Sequence, residues 1–172
     1  MLLETPRLLL RRFTPSDAPF IVTLLNSEGW LRYIGDRGVH TVADAEGYIQ
    51  RAALASYEKH GFGLYHVARK SDGTPVGMCG LLKRDYLDDV DIGYALLPEF
   101  AGQGYAFEAC QRVVEHARDD FGCTRLAAVV QVDNTASIRV LAKLGQSRVG
   151  TVTLPSGDVL DLYRGDIPAL RR

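Results

Sequence analysis

The sequence is poor in the residues that mark metal sites and disulfide scaffolds. Its three cysteines, Cys79, Cys110 and Cys123, are an odd number and form no C-x-x-C pair. That argues against a disulfide framework or a zinc ribbon, and free thiols fit a reducing cytoplasm. The four histidines, His40, His60, His66 and His116, form no H-E-x-x-H or similar ligand pair, so no metal site is expected. An excess of charge of one sign is also lacking. Lys plus Arg number 20 and Asp plus Glu number 21, a net charge of −1. Such a chain has no global field to hold nucleic acid or an anionic membrane. Long apolar runs are absent too. The opening MLLETPRLLLRRF is broken by Glu4, Pro6 and Arg7, and reads neither as a signal peptide nor as a membrane span.

What is present is ordinary globular material, 47% apolar and 24% charged. A length of 172 residues is a prior for one domain. No repeat, low-complexity tract or linker divides the chain, so residues 1–172 are expected to form a single domain. Arg7–Phe13 reads as a strand. Thr14-Pro15-Ser16-Asp17 reads as a helix start, with Thr as N-cap, Pro at the first helical position and Asp completing a capping box. A second helix is expected from Thr41, with Asp44 as capping partner, to Gly61. Strand patterns follow at Gly63–Arg69, Pro75–Lys83 and Val90–Leu97, separated by turns short enough for antiparallel neighbours. Ala106, Ala109, Cys110, Val113, Val114, Ala117 and Phe121 then form one helical stripe over Gly104–Phe121. Leu126–Val132 is apolar almost throughout and reads as a strand buried on both faces. A short helix over Asn134–Leu144 and a closing hairpin, Ser147–Val152 with Val159–Arg164, complete the chain. This order implies an α+β fold: a mixed, mostly antiparallel sheet of about seven strands with helices on both faces.

Two segments carry chemistry. In VDIGYALLPEFAGQGYAFEA, residues 90–109, a strand runs through Pro98 into Gly102-x-Gly104 and a helix. Helix N-termini offer unpaired N–H groups and a positive dipole end to anions. Glycine lets the backbone approach a phosphate where a Cβ would clash. The segment is also readable as a plain glycine turn. It is neither a P-loop nor a Rossmann fingerprint, since no G-K-[ST] follows and Phe107 stands where a third Gly is required. In VDNTASIRVLAKLG, residues 132–145, Asn134 caps a helix directly after the buried strand. That is a frequent ligand-facing position, and equally a plain cap.

Together, ETPRLLLRRFTPSDA at 4–18, PVGMCGL at 75–81, IGYALLPEFAGQGYAFEA at 92–109 and DNTASIRVLAKLG at 133–145 resemble the GNAT superfamily of acyl-CoA-dependent N-acyltransferases. Within it the chain looks like the RimJ/RimL-like branch, whose best-known members acetylate protein N-termini. The resemblance covers nearly the whole chain and implies acetyl-CoA as co-substrate. It implies that the backbone amides of Ala101, Gly102, Gln103, Gly104, Tyr105 and Ala106 cradle the CoA pyrophosphate. It implies that the strand before this loop splays from its neighbour. Leu96 and Leu97 match the residues whose free backbone groups pair with the pantetheine arm and polarise the thioester carbonyl. Such an N–H, aimed at a developing oxyanion, is a sensible device for acyl transfer. Asn134 matches the family asparagine beside the pantetheine arm. Lys143 lies near where the family meets the 3′-phosphate, or simply complements a helix C-terminus.

Departures from the family bear on mechanism. The loop opens with Ala101, where relatives often carry Gln, Arg or Trp. The family tyrosine that reprotonates the CoA thiolate is Leu141 here. In RimL-like patterns a serine takes that role, and Ser137, one turn from Asn134, matches it. Ser137 also suits a helix-start hydroxyl bonded to local backbone. Asp91 stands in the splayed strand where many relatives have Glu, and is the first candidate for general base. Alternation puts it on one face with Gly93 and Ala95, opposite Val90, Ile92 and Tyr94. The competing reading is an exposed strand-edge charge. Glu99 and Glu108 are lesser candidates. Direct attack in a ternary complex needs no catalytic cysteine, so Cys79 and Cys110 are expected in the core.

The resemblance implies that the early helices, the loop around Asn26–Val39 and the final hairpin line the acceptor side. These segments contain Trp30, Arg32 and Tyr33 but no dense acidic cluster. That disfavours a polycationic acceptor and leaves a protein N-terminus or a small amino acid-like amine. A homodimer is an expectation of the family alone. The competing function is a non-catalytic acyl-CoA-binding module on the same fold, kept open by Leu141.

Overall fold

The computed structural model describes residues 2–170. Eight strands form one sheet in the order β1-β2-β3-β4-β5-β6-β8-β7. They are β1 (Leu2–Glu4), β2 (Leu8–Arg12), β3 (Leu64–Arg69), β4 (Pro75–Leu82), β5 (Asp91–Leu96), β6 (Arg125–Val130), β7 (Ser147–Thr153) and β8 (Val159–Asp166). Every neighbouring pair is antiparallel except β5–β6, which is parallel. The α+β expectation holds. The eighth strand is β1, three residues that carry no readable alternation and form an edge by pairing with Leu9–Arg11.

The helices are α1 (Ala18–Leu25), α2 (Glu28–Tyr33), α3 (Val42–Ile49), α4 (Ala55–His60), α5 (Tyr105–Phe121) and α6 (Thr135–Lys143). A 3-10 turn, Pro15–Asp17, precedes α1. Asp17 accepts the Thr14 N–H at 2.9 Å and holds Arg11 through two bonds of 2.9 and 2.8 Å. The helix expected over 41–61 is α3 and α4 joined without a break by a π turn, Gln50–Leu54. Thr41 and Asp44 form its capping box, and Gly61, at φ +79°, ends it. The loop expected over Asn26–Val39 contains α2, six residues too short to show a helical period.

Helices cover both faces, as β3 demonstrates. Tyr65 reaches α5, where its hydroxyl meets His116 Nε2 at 2.9 Å. The next residue, His66, turns to the other face and packs at a tilt against Phe20 of α1, ring centres 5.3 Å apart. Leu8, Leu10, Ile21, Leu24, Ile49, Leu81 and Leu126 are the fully enclosed apolar centre. Cys79 and Cys110 are buried free thiols, Sγ to Sγ 3.7 Å, where β4 meets α5.

One buried hydroxyl joins three elements. Tyr57 of α4 accepts the Phe13 N–H at 3.1 Å and donates to the Leu64 carbonyl. Replacing it strands two buried backbone groups. Tyr57→Phe should therefore lower the unfolding free energy by about 1–3 kcal/mol, read from urea denaturation curves.

Candidate active site

β5 pairs with β4 along its length, from Leu82–Asp91 to Gly77–Leu96. On its other side it meets β6 at Asp91–Ala127, where the Ala127 N–H donates to Val90 O at 3.0 Å. Beyond that pair the strands part, and β6 runs on against β8. Antiparallel ladders alternate in direction. The Leu97 N–H donates to Val76 O at 2.9 Å, so the odd-numbered residues of β5 turn their backbone groups to β4. Tyr94 and Leu96 turn theirs into the gap.

This parity corrects one expectation. Leu97 offers no free backbone group. Its N–H is bound to Val76, and its C=O accepts the Phe100 N–H at 3.0 Å. Leu97 is also buried and off the cleft lining. Leu96 lines the cleft.

The gap opens into a cleft of about 1010 Å³. At one end lies the N-terminus of α5. Gly102 (φ +76°) and Gly104 (φ +80°) both adopt the left-handed conformation. The N–H groups from Gly102 to Phe107 have no acceptor among the described residues. Ala101, Gly102, Gly104, Tyr105 and Ala106 line the cleft; Gln103 does not. The Gln103 carbonyl instead accepts Arg7 Nη1 at 2.9 Å, and its side chain donates to Glu99 O at 3.3 Å. Arg7 fixes the loop further by bonding Glu108 at 2.7 Å and lying 4.5 Å over the Tyr105 ring. Thr5 donates to the same carboxylate at 2.6 Å. Glu108 is thus an anchor outside the cleft lining, and Glu99 is exposed outside it as well.

Tyr94 points to the α5 face, because it pairs with Cys79, which touches α5. Its hydroxyl donates to Ser137 O at 3.0 Å and lies 2.6 Å from Ser137 Oγ. Burial pushes its ionisation far above the usual tyrosine range. Asn134 Oδ1 accepts the Ser137 N–H at 3.2 Å as the cap of α6, which leaves Nδ2 without a partner among the described residues. Lys143, on the same helix, lies 5.6 Å over the Phe107 ring. All four residues line the cleft.

Asp91 lies on the opposite face of the sheet, with Gly93 and Ala95. It is not an exposed edge charge, being 1% exposed. Arg84 Nε bonds Oδ2 at 3.1 Å, and Arg84 Nη1 bonds the Tyr86 hydroxyl at 2.8 Å. Oδ1 is buried with no hydrogen-bond partner among the described residues. Burial raises the carboxyl to about 6, against the pull of Arg84. Trp30, Tyr33 and Arg37 from and after α2, Arg51 and Lys59 from the helix 42–60, and Leu154, Asp158 and Leu160 from the hairpin complete this side.

The structure therefore brings together Asp91, Leu96, Ala101, Gly102, Gly104, Tyr105, Ala106, Asn134, Ser137 and Lys143. Sequence reasoning missed Tyr94 and Arg84. Tyr94 was recognisable only as one strand residue, since its partner is 43 residues away.

Residues 7–147 match the acetyltransferase (GNAT) domain family. The chain is similar to the uncharacterized N-acetyltransferase YoaA of Bacillus subtilis (strain 168), 32% identical over 153 residues that cover 88% of this chain and 85% of that protein. A solved acetyltransferase (GNAT family) from Bacillus anthracis is 25% identical with a TM-score of 0.77, over 97% of this chain and 98% of that one. The structure of RimL, the ribosomal L7/L12 alpha-N-protein acetyltransferase, in complex with coenzyme A shares the fold. Its TM-score is 0.82 at 20% identity, over 97% and 98% of the two chains. With this sheet, this cleft and these relatives, the chain belongs to the GNAT family and is an N-acetyltransferase.

Proposed function

We propose that the chain transfers the acetyl group of acetyl-CoA to a primary amine, a protein N-terminus or an amino acid-like amine, by direct attack in a ternary complex. The observation that carries this reading is a cleft open to both faces of a parted sheet. Free N–H groups converge on it from one side, and a buried carboxylate with an unpartnered oxygen faces it from the other.

These residues fit the cofactor. The free N–H groups of Gly102, Gly104, Tyr105, Ala106 and Phe107, at and just before the start of a 17-residue helix, suit a diphosphate. Asn134 Nδ2 and the Leu96 backbone suit an amide-bearing arm, and Lys143 suits a terminal phosphate. When bound, acetyl-CoA supplies a thioester whose carbonyl carbon accepts the amine and whose sulfur leaves. The Leu96 N–H, held rigid by the β4 ladder, is the chain's donor to negative charge on the carbonyl oxygen. Asp91 Oδ1 takes the ammonium proton, because a carboxyl near 6 is ionised at neutral pH yet basic enough to accept it. Ser137 Oγ gives its proton to the leaving sulfur and regains one from water, and Asp91 releases to water the proton it took. Tyr94, hydrogen-bonded to it, keeps the Ser137 hydroxyl oriented.

Thiol release from acetyl-CoA, followed across peptides and amines, tests the reading; acetyl-CoA binding without turnover on any acceptor would overturn it. As pH falls through about 6, Asp91 takes up a proton, and kcat/KM should fall about tenfold per pH unit. Asp91→Asn should abolish that limb and lower kcat/KM by about 10²–10⁴-fold. The same raised carboxyl gives stability that is full below its ordinary value of 3.8 and lost as pH rises through about 6. Gly104→Ala would force a side chain into the left-handed conformation and place its Cβ 3.3 Å from Arg7 Nη2. It should cost about 1–2 kcal/mol of stability and raise the KM for acetyl-CoA, measured by thermal melts and initial rates.

A further inference from the structure

Of the 20 lysines and arginines, Arg171 and Arg172 lie outside the described residues, which leaves eighteen. Eleven of these are paired with a carboxylate within 4.0 Å. Seven are not. Arg12 lies over the Tyr57 ring at 4.8 Å. The other six, Arg37, Arg51, Lys59, Lys83, Arg139 and Lys143, all line the cleft. Ion pairing is thus the rule over the rest of the described surface and the exception here.

Backbone amides and the cofactor account for only part of this. Arg139 and Lys143 sit on α6, on the side proposed for acetyl-CoA. Lys83 Nζ is turned into its own loop, donating to Arg84 O at 3.1 Å and Leu87 O at 2.5 Å. Arg37, Arg51 and Lys59 remain. They stand on the Asp91 side and have no acceptor among the described residues. Arg51 and Lys59 are eight residues apart on one continuous helix, with small Ala52, Ala55 and Ser56 lining the cleft between them. Arg51 lies in the π turn, a distortion that recurs at functional sites. The acids lining the cleft are Asp91, held by Arg84, and Asp158, held by Ser156 at 2.9 Å.

Eight helical residues rise about 12 Å. That equals three to four residues of extended peptide, at roughly 3.3–3.6 Å each. That spacing suits several residues of an extended chain better than one small molecule. We propose that the acceptor is a peptide N-terminus followed closely by acidic residues. Its amine lies at Asp91 and its carboxylates lie along Arg37, Arg51 and Lys59. The inference rests on the acetyl-transfer reading above and names its substrate class. The cationic wall draws an acidic N-terminus in and turns a basic one away.

Matched hexapeptides test this, each with a free N-terminal Ser and either Glu, Gln or Lys at positions two to four, alongside free glutamate. Thiol release gives kcat/KM. Quenching of Trp30, the chain's one tryptophan and part of the cleft lining, reports binding independently of turnover. The Glu peptide should exceed the Gln peptide by about tenfold or more, and the Lys peptide should rank last. Arg51→Glu/Lys59→Glu, checked for folding by its melting curve, should reverse the order of the Glu and Lys peptides in both readouts. Equal values across the charge series, an unchanged order in the double variant, or free glutamate outperforming the peptides would overturn the proposal. Charge-ordered binding with no thiol release from any amine would leave the cleft an acidic-peptide site, sink the acetyl-transfer reading and with it overturn the assignment of that peptide as acceptor.

Discussion

A sheet ordinarily pairs the backbone groups within it, because a buried N–H or C=O without a partner is costly. β5 and β6 depart from that rule after the Asp91–Ala127 pair. The rest of the molecule makes the departure tolerable. β4 holds β5 along one side and β8 holds β6 along the other, so neither strand can swing across and close the gap. The crossover between them, α5, brings its own unpaired N-terminus to the same opening. The parting of two strands therefore gathers free amides, a buried carboxylate and a hydroxyl pair into one place.

The two sides of the opening obtain positive character by different means. On the α5 side it comes from main-chain amides, joined by Arg139 and Lys143 of α6. The side-chain charges nearest the loop cancel, since Arg7 is spent on Glu108. On the other side it comes from arginine and lysine side chains left without acidic partners. A net charge of −1 conceals both. Local amides do not enter a count of lysines, and the pairing of cations elsewhere balances the sum.

The sequence was most legible where structure is local. Thr41 with Asp44, Asn134 at the start of α6, and Gly104 entering α5 are fixed by chemistry within three or four residues, and the helices begin where these residues indicate. Short elements were not legible. β1 and α2 are three and six residues long, less than two periods of any pattern. Long-range facts were out of reach as well. That Leu97 is bound and Leu96 free depends on β5 parity against Val76. The burial of Asp91 depends on Arg84 folding back over seven residues. The bond between Tyr94 and Ser137 joins two segments that only the parted sheet brings together.

The sheet ends in β1 and β7 rather than closing on itself. Open edges invite pairing with other chains, and through it fibrous aggregation. Here one edge is a three-residue strand, too short to template a partner. The other, β7, has an irregular register between Arg148 and Gly150, with Arg148 and Val149 exposed. An interrupted ladder carrying a cation is a poor seed for a second strand. The molecule thus offers the free backbone groups of its parted strands to a ligand, while its rims are short at one end and irregular at the other.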